Sequence, residues 1–269
     1  KSKCGWRGDA VKLVMALDGV PFAAAIRTVR ELGGPSLARR KAADEWEPDG
    51  ACRLPDGYVP MLYENGAMSQ STVAMMAAAY LGRRAVTAEQ VRRHRIGYCV
   101  YSVRYNDRII VPVAERGEVV YFIARLFRGN GKSYRYPTIE EAGGRSQADV
   151  LFNLDGVLGR PRVRVVEGVW DAMAEERRGE AAVAMLGLAV SETQAAKLAL
   201  AGCQEAVVEC DGDAPWREVE KVARRLEGVM RVSVARPERD PDQQSDSPRP
   251  VKWGLSERVI AMLKKEDDL

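Results

Sequence analysis

An α/β protein in two unlike parts is what this sequence predicts: a mixed α+β, basic N-terminal subdomain, then a mostly parallel central sheet with helices on both faces and a C-terminal helix. Three observations carry that prediction. Short β-branched and aromatic runs crowd residues 98 to 128, apolar runs alternate with helical spacing from 162 to 235, and acids fall just beyond three of those later runs. The chain has 269 residues, 46% of them hydrophobic, enough for one large or two modest cores.

The elements follow in order. "GDAVKLVMALDGVPFAAAIRTVRELGG" has helical apolar spacing broken at "DGVP", which predicts two short helices ending at Gly33 and Gly34. Pro35 to Gly66 is Pro/Gly-rich and reads as a linker with local turns. "SQSTVAMMAAAYLG" and "TAEQVRRHRI" each open on hydroxyl residues, and Thr87 with Gln90 can close a capping box, so both are expected to be helices. "RIIVPV" and "VVYFIARLF", separated by "AERGE", read as paired strands. The strands "RVRVVEG", "AAVAML", "EAVVECDGD" and "RVSVARPE" then alternate with the helices "VWDAMAEERRG", "SETQAAKLALAG" and "PWREVEKVARRLEG". That order suits a parallel sheet covered on both faces. Ser191 is expected as an N-cap, Pro215 in a first helical turn, and Gly179, Gly202 and Gly228 at helix ends. "LSERVIAMLKKEDDL" reads as an amphipathic tail helix.

Charge and cysteine usage exclude several classes. The net charge of +3 is small, but Arg39, Arg40, Lys41, Arg83, Arg84, Arg92, Arg93 and Arg95 crowd the first half, a pattern of solvated helix faces or of nucleic-acid contact. His94, the single histidine, lies in "RRHR" and reads as an exposed helix residue, which argues against a histidine-based triad. The five scattered cysteines include no C-x-x-C pair, so reduced thiols are expected and a disulfide framework is not. No apolar signal core and no run of about eighteen apolar residues is present, which sets a cytoplasmic location without membrane as the expectation.

Ligands of an open α/β sheet bind beyond the carboxyl ends of its strands. Glu167 closes the first strand of the second half and Asp171 follows on the next helix; Asp211 and Asp213 close the third strand; Asp240 and Asp242 follow the fourth. If the first and third strands are neighbours, these carboxylates converge, and mutual repulsion then favours a bound cation. All-oxygen ligation suits Mg²⁺ or Mn²⁺. An EF-hand is excluded, because Ala214, Pro215 and Trp216 stand where its loop needs further ligands. "GNGKS", Gly129 to Ser133, imitates the end of a P-loop, but Leu126 occupies the place of the first glycine and "YRYPT" cannot open a helix. Lys132 still follows a glycine-rich turn on a strand that carries Arg125, which suits a phosphate contact.

"VVEGVWDA", "ECDGD" and "ERDPDQ" resemble the three acidic motifs of the TOPRIM domain in bacterial-type (DnaG-like) DNA primases. "DRIIVPV", "VVYFIARLF" and "GNGKSYRYP" resemble the basic, strand-rich half of that family's RNA polymerase core, and "DVLFNLDGV" its bridge to TOPRIM. "CGWRGDAVKLVMALDGVPFAAAIRTV" looks like the end of its zinc ribbon and the helices behind it. The implied division is 1–34 for the ribbon end and helices, 35–97 for a helical and linker segment, 98–160 for the basic part, 161–243 for TOPRIM and 244–269 for a helical tail.

The resemblance implies DNA-templated synthesis of short RNA primers from ribonucleoside triphosphates on single-stranded DNA, with a replicative helicase as partner. It makes Glu167, Asp211 and Asp213 the catalytic and metal-binding core, with Asp171, Asp240 and Asp242 completing a cluster for two or more Mg²⁺ or Mn²⁺ ions. Glu167 is either a metal ligand or a base. Arg104, Arg108, Arg125 and Lys132 match the family's basic positions, facing triphosphate, primer or template.

Departures from the family's pattern are local. Of the four zinc ligands only Cys4 has a counterpart, Lys1 standing three residues earlier where another would be, so Zn²⁺ is implied only if the ribbon is complete upstream of Lys1. Ala214 and Pro215 replace the usual Ala-Gly after the second aspartate. The family's long helicase-interaction domain has no counterpart here, an economy that suits a phage or mobile-element enzyme in a bacterial cell or infected host. Two other readings share the acids: a TOPRIM-type metal-dependent nuclease, and a non-catalytic module that binds single-stranded nucleic acid. The nuclease leaves the match of residues 107 to 137 unexplained, and the module requires an incomplete acidic set.

Overall fold

The computed structural model describes residues 10–33, 51–63, 65–69, 71–210, 214–235 and 251–252, the last two by backbone alone. Two five-stranded sheets organise them. The first is an antiparallel meander of β1 (Tyr58–Pro60), β2 (Gly97–Cys99), β3 (Arg108–Glu115), β4 (Glu118–Leu126) and β5 (Tyr134–Arg135). The second has the order β10 (Val251–Lys252), β9 (Arg231–Ala235), β8 (Glu205–Glu209), β6 (Arg162–Val166) and β7 (Ala182–Ala184). Its β6–β7, β6–β8 and β8–β9 pairs are parallel and only β10 runs antiparallel, so the expected α/β class holds.

Side-chain alternation explains how the parallel sheet is covered. Val163 and Val165 of β6, Ala206 and Val208 of β8, and Val232 and Val234 of β9 point to one face. There they pack under α6 (Glu192–Leu200) and α7 (Trp216–Glu227), with the N-terminal helices α1 (Ala10–Asp18) and α2 (Phe22–Gly33) in the same core. Arg30 of α2 reaches across and donates from Nε to the Ala199 carbonyl (3.0 Å) and from a terminal nitrogen to that of Cys203 (3.0 Å). Carbonyls at the end of α6 thus gain a cationic donor, the charge a helix C-terminus favours.

The opposite face meets α5 (Val169–Arg177) and the meander. Val166, Val169, Trp170, Met173 and Ala184 share one core with Tyr98, Ile109, Val111 and Ile123, and with α3 (Thr72–Arg83) and α4 (Ala88–Arg93). Phe152 exchanges both backbone hydrogen bonds with Ala184, so the connecting segment "DVLFNLDGV" closes the β7 edge that would otherwise stand open. Local chemistry agrees with the expectations at Ser191 and Thr87, each closing a capping box with the glutamine three residues on. The β3–β4 hairpin turns on Arg116 and Gly117, both at positive φ, and the Asp155 carboxylate accepts both their N–H groups at 2.7 and 2.8 Å. Cys52, Cys99 and Cys203 are free thiols, the last two of them buried.

Two expectations need correction. Inside the stretch read as a linker, Tyr58–Pro60 forms the edge strand of the meander. His94, read as exposed, is half-buried with its ring turned inward: the side chain is 7% accessible, the ring lies 4.7 Å from that of Phe152, and Nε2 stands 2.8 Å from Glu176 Oε2 on α5. The local cationic string concealed a partner 82 residues away. Burial alone would raise the Glu176 carboxyl, but His94, Arg93 and Gln90 outweigh it and hold the group below its ordinary 4.5. The Glu176→Gln variant is therefore expected to lose about 1–3 kcal/mol at neutral pH in urea titrations. In the wild type that contribution is complete above about 4.5 and disappears as pH falls through the depressed value.

Candidate active site

Strand register builds the site. Val166 pairs with Glu209 and Glu209 with Ala235, so the carboxyl ends of β6, β8 and β9 lie side by side. The condition attached to the acidic motifs, that their first and third strands be neighbours, is thus met. Glu167 is the first residue beyond β6, and its carbonyl accepts the Leu186 N–H at 3.0 Å. Asp171 sits in the first turn of α5, where its Oδ2 accepts the Gly168 N–H at 3.2 Å, a favoured place for a carboxylate. A Cβ at position 168 would stand 2.8 Å from that oxygen, so a larger residue there would make the carboxylate shift. Glu167 and Asp171 are both half-buried. Asp211, Asp213, Asp240, Asp242 and Cys4 lie outside the described residues.

Beneath this mouth lies a buried ion network. Arg164 of β6, 4% exposed, reaches Glu209 of β8 at 2.5 Å and Glu175 of α5 at 3.1 Å, both fully buried. Arg178 pairs with Glu175 from the end of the helix. Burial and the neighbouring Glu175 push the Glu209 carboxyl up to about 7, against the pull of Arg164.

The basic residues come from the meander. Arg108, 3% exposed, donates to the carbonyls of Lys132 (2.9 Å), Ala124 (3.3 Å) and Ser133 (3.4 Å), clasping the Gly129–Gly131 turn, in which both glycines have positive φ. No helix follows that turn; β5 does, as the rejection of a P-loop requires. Burial, then Arg135 and Arg125, push the Arg108 guanidinium below its usual range. Arg135 adds a buried Nε without a hydrogen-bond partner among the described residues. Such a crowd of cations favours an anion. Arg104 donates to the Tyr105 hydroxyl (2.9 Å) and the Tyr136 carbonyl (3.2 Å), whereas Lys132 is exposed at the tip.

Sequence reasoning missed an aromatic group between the two halves. Arg125 Nε donates to the Tyr80 hydroxyl at 2.8 Å, and its guanidinium lies 4.5 Å over the Tyr134 ring. Trp170 Nε1, immediately before Asp171, donates to the Tyr134 hydroxyl at 3.1 Å. Arg84 donates to the same Tyr80 hydroxyl at 3.1 Å and lies 5.6 Å from the rings of both Tyr80 and Trp170. The Arg83–Arg84 pair was a visible signal, but it read as part of a solvated helix face or a nucleic-acid contact, not as a partner of aromatic rings.

Sequence and fold comparisons agree on one class. No family profile matches the chain. It is 23% identical to a DNA primase of Geobacillus stearothermophilus over 82% of its own length, and spans 44% of that protein, less than half of the curated relative it matches. Among solved structures it resembles the Aquifex aeolicus primase zinc-binding and RNA polymerase domains, with a TM-score of 0.57 and 16% identity over 98% of this chain and 72% of that one. The RNA polymerase domain of Mycobacterium tuberculosis primase DnaG has a TM-score of 0.55 and 24% identity over 64% and 72% of the two chains. A DnaG primase catalytic domain bound to single-stranded DNA has a TM-score of 0.54 and 19% identity over 73% of each. The architecture is therefore that of a primase RNA polymerase core. More particularly, by fold the chain is DnaG-like. Among the described residues no helix is long and apolar enough to cross a membrane.

Proposed function

We propose that this chain is the catalytic core of a DNA primase, joining ribonucleotides on a single-stranded DNA template by nucleotidyl transfer. The observation that carries the proposal is the alignment of the β6, β8 and β9 ends, with Glu167 and Asp171 at their mouth, joined through Trp170 and Tyr134 to the arginine-rich meander. Acids at one wall and cations at the other suit a reaction between a triphosphate and a 3′-hydroxyl. In that reaction the 3′-oxygen bonds to the α-phosphorus, the bond to the β-phosphate bridging oxygen breaks, and pyrophosphate leaves.

The donor set fits a hard divalent cation, Mg²⁺ or Mn²⁺, because Glu167 and Asp171 supply carboxylate oxygens beside the strand ends that lead to Asp211, Asp213, Asp240 and Asp242. Bound there, such ions supply charge neutralisation at the attacking and leaving oxygens. Glu167 serves either as their ligand or as the base for the 3′-hydroxyl proton. Arg108 shapes the turn, Arg104 and Arg125 line the basic wall, and Lys132 meets phosphate from the tip. The template is single-stranded DNA, and a replicative helicase is the expected partner.

Incubation with single-stranded DNA, labelled ribonucleotides and Mg²⁺ or Mn²⁺ is expected to yield short RNA. Cleavage of the template in place of synthesis would instead establish a TOPRIM-type nuclease, and binding with neither reaction a non-catalytic module. In the same assay Lys132→Ala should raise the KM for nucleotide about tenfold with kcat nearly unchanged, the scale of one charge-assisted phosphate contact. An unaltered KM would remove Lys132 from the site.

A further inference from the structure

We propose that Trp170 and Tyr134 are positioning residues that fix the acid-bearing end of α5 against the basic strands, and this rests on the primer-synthesis reading. Four residues from four elements form a closed ring of contacts. Trp170 of α5 donates to the Tyr134 hydroxyl of β5 at 3.1 Å. Arg125 of β4 lies 4.5 Å over the Tyr134 ring and donates to the Tyr80 hydroxyl of α3 at 2.8 Å. Tyr80 closes the ring edge-on to Trp170, with ring centroids 6.1 Å apart. Arg84 lies against both of these rings at 5.6 Å.

Packing alone does not require this arrangement. Val169, Ala172 and Met173 already seat α5 in the shared core. The Trp170 N–H adds a directional bond, and it runs between the neighbour of Asp171 and a residue two positions beyond Lys132. Aromatic rings and a planar guanidinium have few torsions to freeze, so a ring of such groups holds two surfaces at a set separation. Nucleotidyl transfer depends on that separation, because misplacing reactants by about 1 Å costs on the order of 10²-fold in rate. Neither residue needs to touch nucleotide or metal for this role.

The test compares the full chain with Trp170→Phe, Tyr134→Phe and the double variant. Each single change removes one end of the hydrogen bond while keeping a ring in place. Each is expected to lower kcat about tenfold with nucleotide KM and template affinity within about twofold, and the double variant to be no slower than the slower single one. Hydrogen exchange at the first turn of α5 and at residues 133–135 should rise together, about threefold or more, in either variant. An unchanged kcat in both single variants, or losses that multiply in the double, would overturn the proposal. If the wild type makes no primers, the primer-synthesis reading fails by itself. The exchange data then decide whether the ring couples the two walls: loosening confined to the mutated element would contradict it.

Discussion

Glu167→Gln and Asp211→Asn are each expected to lower primer synthesis by at least about 10²–10³-fold, the scale on which removing a single preorganised electrostatic contact slows a reaction. Template affinity should stay within about twofold of wild type, because affinity for nucleic acid comes mainly from cationic contacts to phosphate. The expectation for Glu167 rests on its place at the end of β6, beside the end of β8 that leads into Asp211. Both substitutions keep side-chain size and remove one negative charge. Filter binding of labelled template together with gel analysis of products separates the two quantities. A parallel loss of binding would make these acids structural.

Arg164→Met should be the most damaging change to stability. Its guanidinium is the cation that faces both Glu175 and Glu209, each fully buried, and methionine leaves those carboxylates without it. Breaking a buried pair by removing one partner costs about 3–5 kcal/mol. The loss should be smaller at pH 5 than at pH 8. Glu209 already has its carboxyl raised to about 7, so it takes up a proton more readily in the folded protein than in the unfolded chain. Its contribution is complete below its unfolded value near 4.5 and is lost as pH rises through about 7. Urea titrations of both proteins at the two pH values check the sign. Equal losses at pH 5 and pH 8 would contradict the account.

Much of this architecture was legible because short, mostly apolar strand runs alternate with helical spacing from 162 to 235. "RVRVV", "EAVVE" and "RVSVA" became β6, β8 and β9. Hydroxyl caps at Thr87 and Ser191 marked helix starts that the structure keeps. What escaped depends on partners remote in sequence. The adjacency of β6 and β8 entered only as a condition, since strand order is a property of the whole sheet. Arg164 finds a counter-charge in Glu209, 45 residues on. His94 looked exposed because its neighbours are cationic, and the Tyr58–Pro60 strand was hidden by its length and its proline.

The candidate site was legible in its charges more than in its geometry. The three acidic motifs marked strand ends, and the structure brings the ends of β6, β8 and β9 together. Among the basic residues, burial divides a set that sequence treats alike: Arg108 spends its donors on carbonyls of its own chain, while Lys132 is exposed at the tip of the turn that Arg108 clasps. The ring through Tyr80, Arg125, Tyr134 and Trp170 had no sequence signature, because its members are scattered over four elements.

Acids at these aligned strand ends are proposed to drive templated nucleotidyl transfer. Its most direct test follows pyrophosphate release and ribonucleotide incorporation together on single-stranded DNA with Mg²⁺ or Mn²⁺. One pyrophosphate per nucleotide joined is predicted, with both signals lost when template is omitted or Glu167→Gln is used. Nucleotide release from the template without pyrophosphate would contradict it.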